Sequence, residues 1–331
     1  MADHHLSDQI ERFTPIDLIL LAIFIFFFVS IFVADVFYRP MVVAAGFLAA
    51  VFGLKIYGAR CVSLGAHRGL ADDAPENTLE AFRLSKTLGA DAIEFDVEFT
   101  KDDVAILMHD DTVDRTTNGT GNVRDLTWLQ VQELDAAAKF RNGTHPPAKV
   151  PLLSQAVQYC LDNDMKIFFD IKRAHPKLVE TLLDLYKQYP SLYDKAAVCS
   201  FDPMISYRVK RADNRIITAH TWQPYVLSYQ DYERTKPTFS GLKQKATQAV
   251  ETVYQWSLHN VLWKFTGADL ILANHNMVSA EYIRTWKDRG LAVVAWTVND
   301  YHQRLFFLKT LKCPFLTDKL SDFQTELKTT V

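Results

Sequence analysis

The sequence shows no repeats, few cysteines and no excess of charge of either sign. Its four cysteines form no CxxC pair and have no spacing with histidine that is typical of a metal site, so no disulfide pairing is assigned. Basic residues number 36 against 39 acidic ones, and no basic stripe with interleaved aromatic residues is present, which argues against nucleic acid as a partner. With 331 residues, 49% of them apolar, the chain can bury a full-sized core, as one large α/β domain or two smaller ones.

A long uncharged run lies near the N-terminus. Residues 18–34, LILLAIFIFFFVSIFVA, carry no charge and are just long enough to cross a bilayer as a helix. A cleaved signal peptide is the competing interpretation, but the run is longer than a usual signal core and Arg12 is the only arginine or lysine before it. We therefore predict a retained membrane anchor.

A second apolar run, residues 41–58, leaves the number of membrane helices open. Its uncharged part ends at Leu54 and is short for a span, so both a second transmembrane helix with Lys55 and Tyr57 as interfacial anchors and an interfacial helix fit. The few basic residues around the runs favour both ends on one side of the membrane without fixing that side. We predict an anchor over residues 1–60, and hence an integral protein of the plasma membrane or an endomembrane, with the lipid bilayer as a partner.

Short β-branched or aromatic runs alternate with helical patterns beyond the anchor, which is typical of a parallel α/β architecture. The nine predicted strands are Val62–His67, Ala92–Val97, Val104–Met108, Ile167–Ile171, Ala197–Ser200, Ile216–His220, Leu270–Ala273, Val293–Thr297 and Phe315–Thr317. Only about six residues separate Val97 from Val104, whereas a parallel crossover needs about a dozen, so the third run must return as an antiparallel hairpin. The remaining eight strands predict a TIM (β/α)8 barrel with a hairpin insertion after strand 2, over residues 61–320, followed by a polar tail at 321–331.

Helix signals agree with this spacing. Asn77 with Glu80, and Thr127 with Gln130, are predicted to form capping boxes. In the insertion at residues 222–268, apolar residues recur at near-helical spacing: Val253, Trp256, Val261 or Leu262, and Phe265. A barrel helix packed on the sheet and a membrane-contacting surface both fit this last pattern.

Acidic residues interrupt an apolar strand in the stretch AIEFDVEFTKDDVAILMHD, residues 92–110. Glu94, Asp96 and Glu98 lie on one face because a strand alternates faces with period two. Ionised groups on a core face are costly unless they are paired or bound to a cation, so the stretch indicates a site. The return hairpin is predicted to bring His109 roughly opposite Glu94.

The ends of the predicted strands carry a dense set of polar residues, at the end of the barrel where TIM-barrel chemistry occurs. Three acids offer oxygen-only ligands, which suit Mg²⁺ or Ca²⁺ better than zinc. Two cations can neutralise a bound phosphate, and two histidines titrate near neutrality, so that one can take a proton while the other gives one. The acids are Glu94, Asp96 and Asp170, the cations Arg68 and Lys172, and the histidines His67 and His109. Together they indicate phosphodiester cleavage.

Each of these residues also has a structural interpretation, and His67 and His109 fit hydrogen-bonded histidines at strand ends. Glu94 with Arg68, or Asp170 with Lys172, fits a structural ion pair. His220 and Asp318 are weaker candidates at other strand ends, and Asn274 fits a turn.

Seven motifs occur in the order found in one family. The chain resembles the glycerophosphodiester phosphodiesterases of the membrane-anchored animal type over roughly residues 62–320. The motifs are AHRG, PENTLEAF, EFDV, MHDDTVDRTTNGTG, FDIK, CSFD and AWTVND. Several spaced motifs in sequence are far more specific than any one of them.

The resemblance implies hydrolysis of a glycerophosphodiester to glycerol 3-phosphate and an alcohol in a metal-bearing TIM barrel. It implies one divalent cation, Mg²⁺ or Ca²⁺, held by the three acids. It assigns acid–base catalysis to the two histidines, phosphate binding to the two cations, and the substrate side to Trp296. A bacterial pattern of the family often has glutamate in place of Asp170, so the cation stays open.

Substrate, mechanism and modification also stay open. The substrate is a glycerophosphodiester or, in a lysophospholipase D, a lysophospholipid or an N-acyl lysophosphatidylethanolamine; a non-catalytic membrane scaffold is a further alternative. Attack by the glycerol 2-hydroxyl through a cyclic phosphate competes with direct attack by water. The sequons at Asn118 and Asn142 matter only if the barrel lies in a lumen or outside the cell, and Asn118 also fits a turn.

Overall fold

The computed structural model describes residues 64–232 and 234–323. The predicted anchor at residues 1–60 and most of the predicted tail at 321–331 lie outside these residues. Within the described residues, no helix combines the length and the apolar character that a membrane span requires.

Nine strands are described, and eight of them close into a parallel barrel. They are β1 Leu64–Ala66, β2 Ala92–Phe99, β3 Ala105–Leu107, β4 Lys166–Ile171, β5 Ala196–Ser200, β6 Ile217–Trp222, β7 Leu270–Asn274, β8 Ala292–Trp296 and β9 Phe315–Thr317. Parallel pairing runs through every strand except β3, and β1 closes the barrel by pairing with both β2 and β9. The prediction of a closed eight-stranded α/β barrel is therefore confirmed.

Strand β2 is long enough to serve two partners on one edge. Its first residues pair with β1, whereas Val97 to Phe99 pair antiparallel with β3, with Val97 opposite Leu107. Just beyond this ladder, the Met108 N–H donates to the Asp96 carbonyl at 3.1 Å. Strand β3 therefore brings His109 beside the acidic strand. Continued by two residues, the register places Phe95 opposite His109, whereas the sequence predicted Glu94 there.

Helices fill the connections and surround the barrel. They are α1 Leu79–Thr87, α2 Trp128–Val131, α3 Leu153–Asp162, α4 Leu178–Gln188, α5 Leu192–Lys195, α6 Pro203–Ala212, α7 Gly241–Ser257, α8 Trp263–Thr266, α9 Ala280–Asp288 and α10 Tyr301–Leu305. A π-helical segment, Leu258–Leu262, joins α7 to α8, and a second, Phe306–Leu311, extends α10. Short 3₁₀ segments are His67–Gly69, Val123–Asp125, Phe140–Gly143 and His275–Met277.

One predicted helix cap is wrong. Helix α1 begins after Thr78, whose side chain accepts from the Ala81 N–H at 3.1 Å, and not after Asn77. Asn77 has a φ of 58°, and its side chain is instead bonded to Asp96 in the barrel. The second predicted box is present, since the Gln130 side chain accepts from the Thr127 N–H at 2.8 Å.

Two apolar layers sit on the two faces of the barrel wall. The inner layer comprises Ala92, Phe168, Ala197, Cys199, Ile217, Ala219, Leu270, Leu272, Val294 and Leu316. The outer layer, beneath the helices, contains the alternate residues, such as Phe95 and Phe169, whose rings lie 5.5 Å apart. Side chains alternate between the two faces of a strand. The residues two or four positions after an inner residue therefore also point inward, at the barrel mouth.

In the 222–268 insertion, Leu262 is the one residue of the predicted apolar pattern that packs against the core beneath the helices. Leu258 is buried, whereas Trp256 and Phe265 are 52% and 58% exposed. The π-helical turn between α7 and α8 breaks the 3.6-residue period, so residues on either side of it do not share one face. The interpretation as a helix packed on the barrel therefore holds for Leu258, which lies in the buried core. Phe265 instead stacks on Tyr207, with ring centroids 4.9 Å apart.

Both sequons lie in the insertion between β3 and β4. The Asn118 side-chain oxygen accepts from the Asp135 N–H at 2.9 Å, so it holds together two segments that are 17 residues apart in sequence. Asn142 is exposed, with a φ of 58°.

Candidate active site

Three carboxylates meet inside the mouth of the barrel. Glu94 and Asp96 follow the inner residue Ala92 along β2, and Asp170 lies opposite Asp96 in the register of β4. The three side chains are buried, and one oxygen from each lies within 4.8 Å of the others. Glu98, the next acid along β2, is not part of this cluster.

This acidic triad fits a divalent cation. Oxygen ligands of Ca²⁺ lie about 2.3–2.6 Å from the ion, and those of Mg²⁺ about 2.0–2.1 Å, so oxygens that share one ion are separated by no more than about 5 Å. Within the described residues, the buried Oδ1 of Asp170 has no hydrogen-bond partner. An unpaired buried carboxylate oxygen is costly, and a bound cation would remove that cost. The triad can therefore hold a metal ion.

The pKa values of Glu94 and Asp96 are displaced in opposite directions. Burial and the charge of Asp96 raise the pKa of Glu94. Burial also opposes ionisation of Asp96, but the charges of Lys172 and Arg68 outweigh it and hold the pKa of Asp96 well below its usual range. Asp96 therefore stays ionised.

Lys172 and Arg68 approach the triad from two sides. Lys172 Nζ lies 3.0 Å from Asp96 Oδ1 and also contacts Asp170 Oδ2. Arg68 Nε lies 3.5 Å from Asp96 Oδ2, and the Arg68 backbone N–H donates to Glu94 Oε2 at 2.8 Å. The left-handed turn after β1 permits both contacts, with φ values of 49° at Arg68 and 77° at Gly69. A Cβ at Gly69 would come within 2.8 Å of the Phe82 ring, so glycine is required there.

His67 is held by a carboxylate from the far end of the chain. Its Nδ1 lies 2.6 Å from Asp318 Oδ1, and its Nε2 lies 3.9 Å from Glu94 Oε2. Asn299 donates to the other oxygen of Asp318 at 2.6 Å. Burial lowers the pKa of His67, but the charges of Glu94 and Asp318 outweigh it, and the net effect is an increase.

His109 has a different carboxylate partner. Its Nδ1 lies 2.6 Å from Asp110 Oδ1, and Arg115 also contacts that carboxylate. Burial, together with the charges of Arg68 and Lys172, lowers the pKa of His109 despite the nearby Asp96. The two histidines thus share one mouth but have pKa values displaced in opposite directions.

The inward residues at the carboxyl ends of β5 to β8 carry no charge. By the same alternation they are Phe201, Thr221, Asn274 and Trp296. The Trp296 indole donates to the Leu272 carbonyl at 3.0 Å, and its ring meets Phe201 edge-on at 5.5 Å. Trp296 therefore forms a fixed aromatic wall opposite the triad.

The structure brings seven of the candidate residues together and places Trp296 across the mouth from them. His220 is not among them, because its ring lies on the outer face, where Nε2 is 2.7 Å from Thr266 Oγ1. Sequence reasoning assigns no role in the site to three residues that hold it: Asn77, Asp110 and Asn299. The strand-end position of Asp318 is the sequence signal that points to the partner of His67.

Comparison with known proteins gives one consistent result. A family model described as the glycerophosphoryl diester phosphodiesterase family matches residues 67–321. Glycerophosphodiester phosphodiesterase 1 of Bos taurus is 40% identical over 78% of each chain, and the Homo sapiens protein of that name is 39% identical over the same shares.

Solved structures show the same fold at low sequence identity. An Oleispira antarctica phosphodiesterase, solved with the product sn-glycerol-3-phosphate, has a TM-score of 0.62 and 19% identity, covering 82% of this chain and 99% of its own. A glycerophosphodiester phosphodiesterase from Agrobacterium tumefaciens has a TM-score of 0.61 and 21% identity, covering 80% of this chain and all of its own.

Proposed function

This chain belongs to the glycerophosphoryl diester phosphodiesterase family of enzymes, and from that premise we propose that it hydrolyses glycerophosphodiesters to glycerol 3-phosphate and an alcohol with the help of a divalent cation. The observation that carries the proposal is the placement of the acidic triad between two histidines that each have a carboxylate partner. A structural ion-pair cluster needs no such pair of histidines.

The charge balance of the mouth supports a cation with an anionic substrate. The triad carries three negative charges when ionised, and Arg68 and Lys172 offset two of them. A divalent cation converts the remaining negative charge into one positive charge, which matches the single negative charge of a phosphodiester. The three carboxylates would hold it, and when bound it would stabilise negative charge on the phosphoryl oxygens. Oxygen-only ligands favour Mg²⁺ or Ca²⁺.

Arg68 and Lys172, which both contact the triad, would also bind the phosphate of the substrate. The buried Arg68 Nε makes no hydrogen bond to another described residue, although it lies 3.5 Å from Asp96 Oδ2. Lys172 offers a point charge, whereas the guanidinium offers a fork that matches two phosphate oxygens.

His67 and His109 would perform the proton transfers. In each ring Nδ1 faces a carboxylate, which leaves Nε2 for chemistry at the mouth. One ring removes the proton of the attacking hydroxyl, either the glycerol 2-hydroxyl or a water molecule, and the other protonates the oxygen of the departing alcohol. With the glycerol hydroxyl, a cyclic phosphate forms and water opens it with the roles reversed.

The test is ³¹P NMR of the purified protein with glycerophosphoinositol, glycerophosphocholine and a lysophospholipid, in Mg²⁺ or Ca²⁺, with and without EDTA. We expect glycerol 3-phosphate to accumulate and to stop accumulating with EDTA, and the initial rates then rank the alcohols. Lysophosphatidate as the only product would favour the lysophospholipase D alternative. Unchanged spectra with either cation would overturn the proposal in favour of a non-catalytic scaffold.

We also propose that residues 18–34 anchor the protein in a membrane, because that run carries no charge over the length of a span. Extraction of cell membranes with alkaline carbonate tests this. The full chain is expected to stay in the pellet and a chain starting near Arg60 to be released. Release of both would overturn the anchor.

A further inference from the structure

Arg115 binds two carboxylates at once. It lies in the stretch DRTTNGTG, which has no part in the chemistry described so far. Its guanidinium pairs with both oxygens of Glu76, at 2.7 and 2.8 Å. It also pairs with both oxygens of Asp110, from Nε at 2.6 Å and from Nη2 at 3.0 Å. One side chain therefore holds two acids in a fixed mutual arrangement.

Each of those acids leads to a different part of the site. Asp110 Oδ1 lies 2.6 Å from His109 Nδ1, so it sets the orientation of that ring. Glu76 Oε1 lies 3.4 Å from Arg68 Nη1, so it limits where that guanidinium can go. Arg115 thus links a proton-transfer group to a phosphate-binding group.

The backbone that carries Arg115 is itself fixed. Val113 and Thr117 on either side are fully buried, and the Thr117 N–H and hydroxyl both donate to the Val113 carbonyl, at 3.1 and 2.7 Å. Among the described residues, no hydrogen bond or ion pair joins Arg115 to the acidic triad. A change at Arg115 is therefore expected to alter the mouth only through Glu76 and Asp110.

We propose that Arg115 is a positioning residue of the reaction: it holds the His109 ring and the Arg68 guanidinium in one geometry through Asp110 and Glu76, without touching the substrate. The inference rests on the proposed function. An alignment error of about 1 Å in such a group can cost on the order of 100-fold in rate, so a residue that fixes two of them has a large indirect effect.

Lysine cannot replace this arginine. A lysine ammonium is a point charge with no fork, so it can pair closely with one of the two carboxylates but cannot chelate both. Arg115→Lys is therefore expected to keep the local charge while losing the geometry, and Arg115→Ala to lose both. A matched control is Arg124, which lies in the same insertion and pairs with the buried Glu98 at 3.0 Å.

The kinetic test uses the full-length protein and glycerophosphocholine. We expect kcat to fall about 100-fold in Arg115→Ala and about 10-fold in Arg115→Lys, with a smaller rise in KM because the phosphate-binding Arg68 is also displaced, and Arg124→Ala to be close to wild type in both. Added guanidinium ion should restore part of the kcat of Arg115→Ala and none of any loss in Arg124→Ala. Equal losses in Arg115→Ala and Arg124→Ala, or a kcat of Arg115→Ala within twofold of wild type, would overturn the proposal.

A second readout does not depend on turnover. Histidine ¹⁵N spectra report which ring nitrogen carries the proton, and His109→Gln identifies the signals of His109. We expect a single tautomer with Nδ1 protonated in wild type and a mixture of tautomers in Arg115→Ala. An unchanged tautomer would overturn the inference. If the tautomer changes in Arg115→Ala while the wild-type protein forms no glycerol 3-phosphate, the proposed function alone is overturned.

Discussion

The two halves of the barrel mouth differ in kind. On the side of β1 to β4, the inward residues are charged or titratable and are held by further charged groups. On the side of β5 to β8 they are uncharged, and two are aromatic rings in edge-on contact. Both halves belong to one closed barrel of parallel strands, so the difference lies in the side chains and not in the fold.

This division matches the two parts of a glycerophosphodiester. The phosphate and the glycerol hydroxyls are common to every member of the substrate class and require charges and proton donors. The alcohol varies, and an uncharged wall can contact it without fixing one polar pattern. We therefore expect substitutions on the charged half to lower kcat for every substrate, and substitutions on the aromatic half to change the preference between substrates.

The largest effect is expected from His109→Ala. Removal of a general acid or base typically costs 10²- to 10⁴-fold, and we expect a loss of kcat in that range with every diester tested. The measurement is steady-state release of glycerol 3-phosphate. His302→Ala, at an exposed histidine of α10, is the control and should be unaffected. A loss of less than threefold in His109→Ala would place the proton transfer elsewhere.

Asn77→Gly tests how the charged half is supported. Asn77 donates to Asp96 Oδ2 at 2.8 Å and accepts from the Asp96 N–H at 3.1 Å. Removal of a group that orients a metal ligand typically costs about 10- to 100-fold in metal affinity, which titration calorimetry with Mg²⁺ or Ca²⁺ would measure. Glycine tolerates the positive φ of this residue, and Asn142→Gly, at an exposed asparagine with the same φ of 58°, is the matched control. Equal affinities in wild type and Asn77→Gly would mean that Asp96 needs no such support.

The strands could be predicted from sequence because their signals are local. Apolar runs, chain reach between Val97 and Val104, and the alternation of faces fix which residues of β2 point inward. Eight parallel strands then leave few arrangements, and the carboxyl ends of all of them lie on one side. That rule alone placed Glu94, Asp96 and Asp170 in one mouth.

The partners of the site residues could not be predicted in the same way. Asp318 reaches His67 across 251 residues of chain, and which acid meets which histidine depends on the closure of the barrel and on side-chain rotamers. Asn77 was misassigned because its local sequence also satisfies a capping box, and only its tertiary contact with Asp96 reveals its role. The prediction that His220 lies near the mouth depended on its position at the end of the predicted strand. The strand runs two residues further, to Trp222, and His220 lies on its outer face.

His220 provides a test outside both halves. Burial lowers the pKa of His220 to about 4, whereas an unfolded histidine has a pKa near 6.5. As the pH falls below about 6.5, the unfolded chain binds a proton that the folded protein does not, so this group makes the protein less stable down to about pH 4. Between pH 7 and pH 5 the loss is on the order of 2 kcal/mol, and His220→Gln should remove it.

Urea unfolding of wild type and His220→Gln at pH 7 and pH 5 measures the loss of unfolding free energy between the two pH values. That loss can be compared between the proteins even if His220→Gln is less stable at both pH values. Its kcat at pH 7 should equal that of wild type, because the ring lies on the outer face. A large loss of kcat would contradict the separation of this histidine from the mouth.

The smallest effect is expected from Trp296→Phe, and it tests the division of the mouth most directly. Phenylalanine keeps an aromatic ring beside Phe201 but loses the hydrogen bond to the Leu272 carbonyl and part of the ring surface. We expect the ratio of kcat/KM values for glycerophosphoinositol and glycerophosphocholine to change by about fivefold, which corresponds to about 1 kcal/mol of discrimination, with each kcat within twofold of wild type. Trp256→Phe, at an exposed tryptophan of α7, should leave the ratio unchanged. If Trp296→Phe lowers kcat/KM for both substrates by the same factor, the aromatic wall contacts the part of the substrate that they share, and the two halves do not divide the work between catalysis and selection.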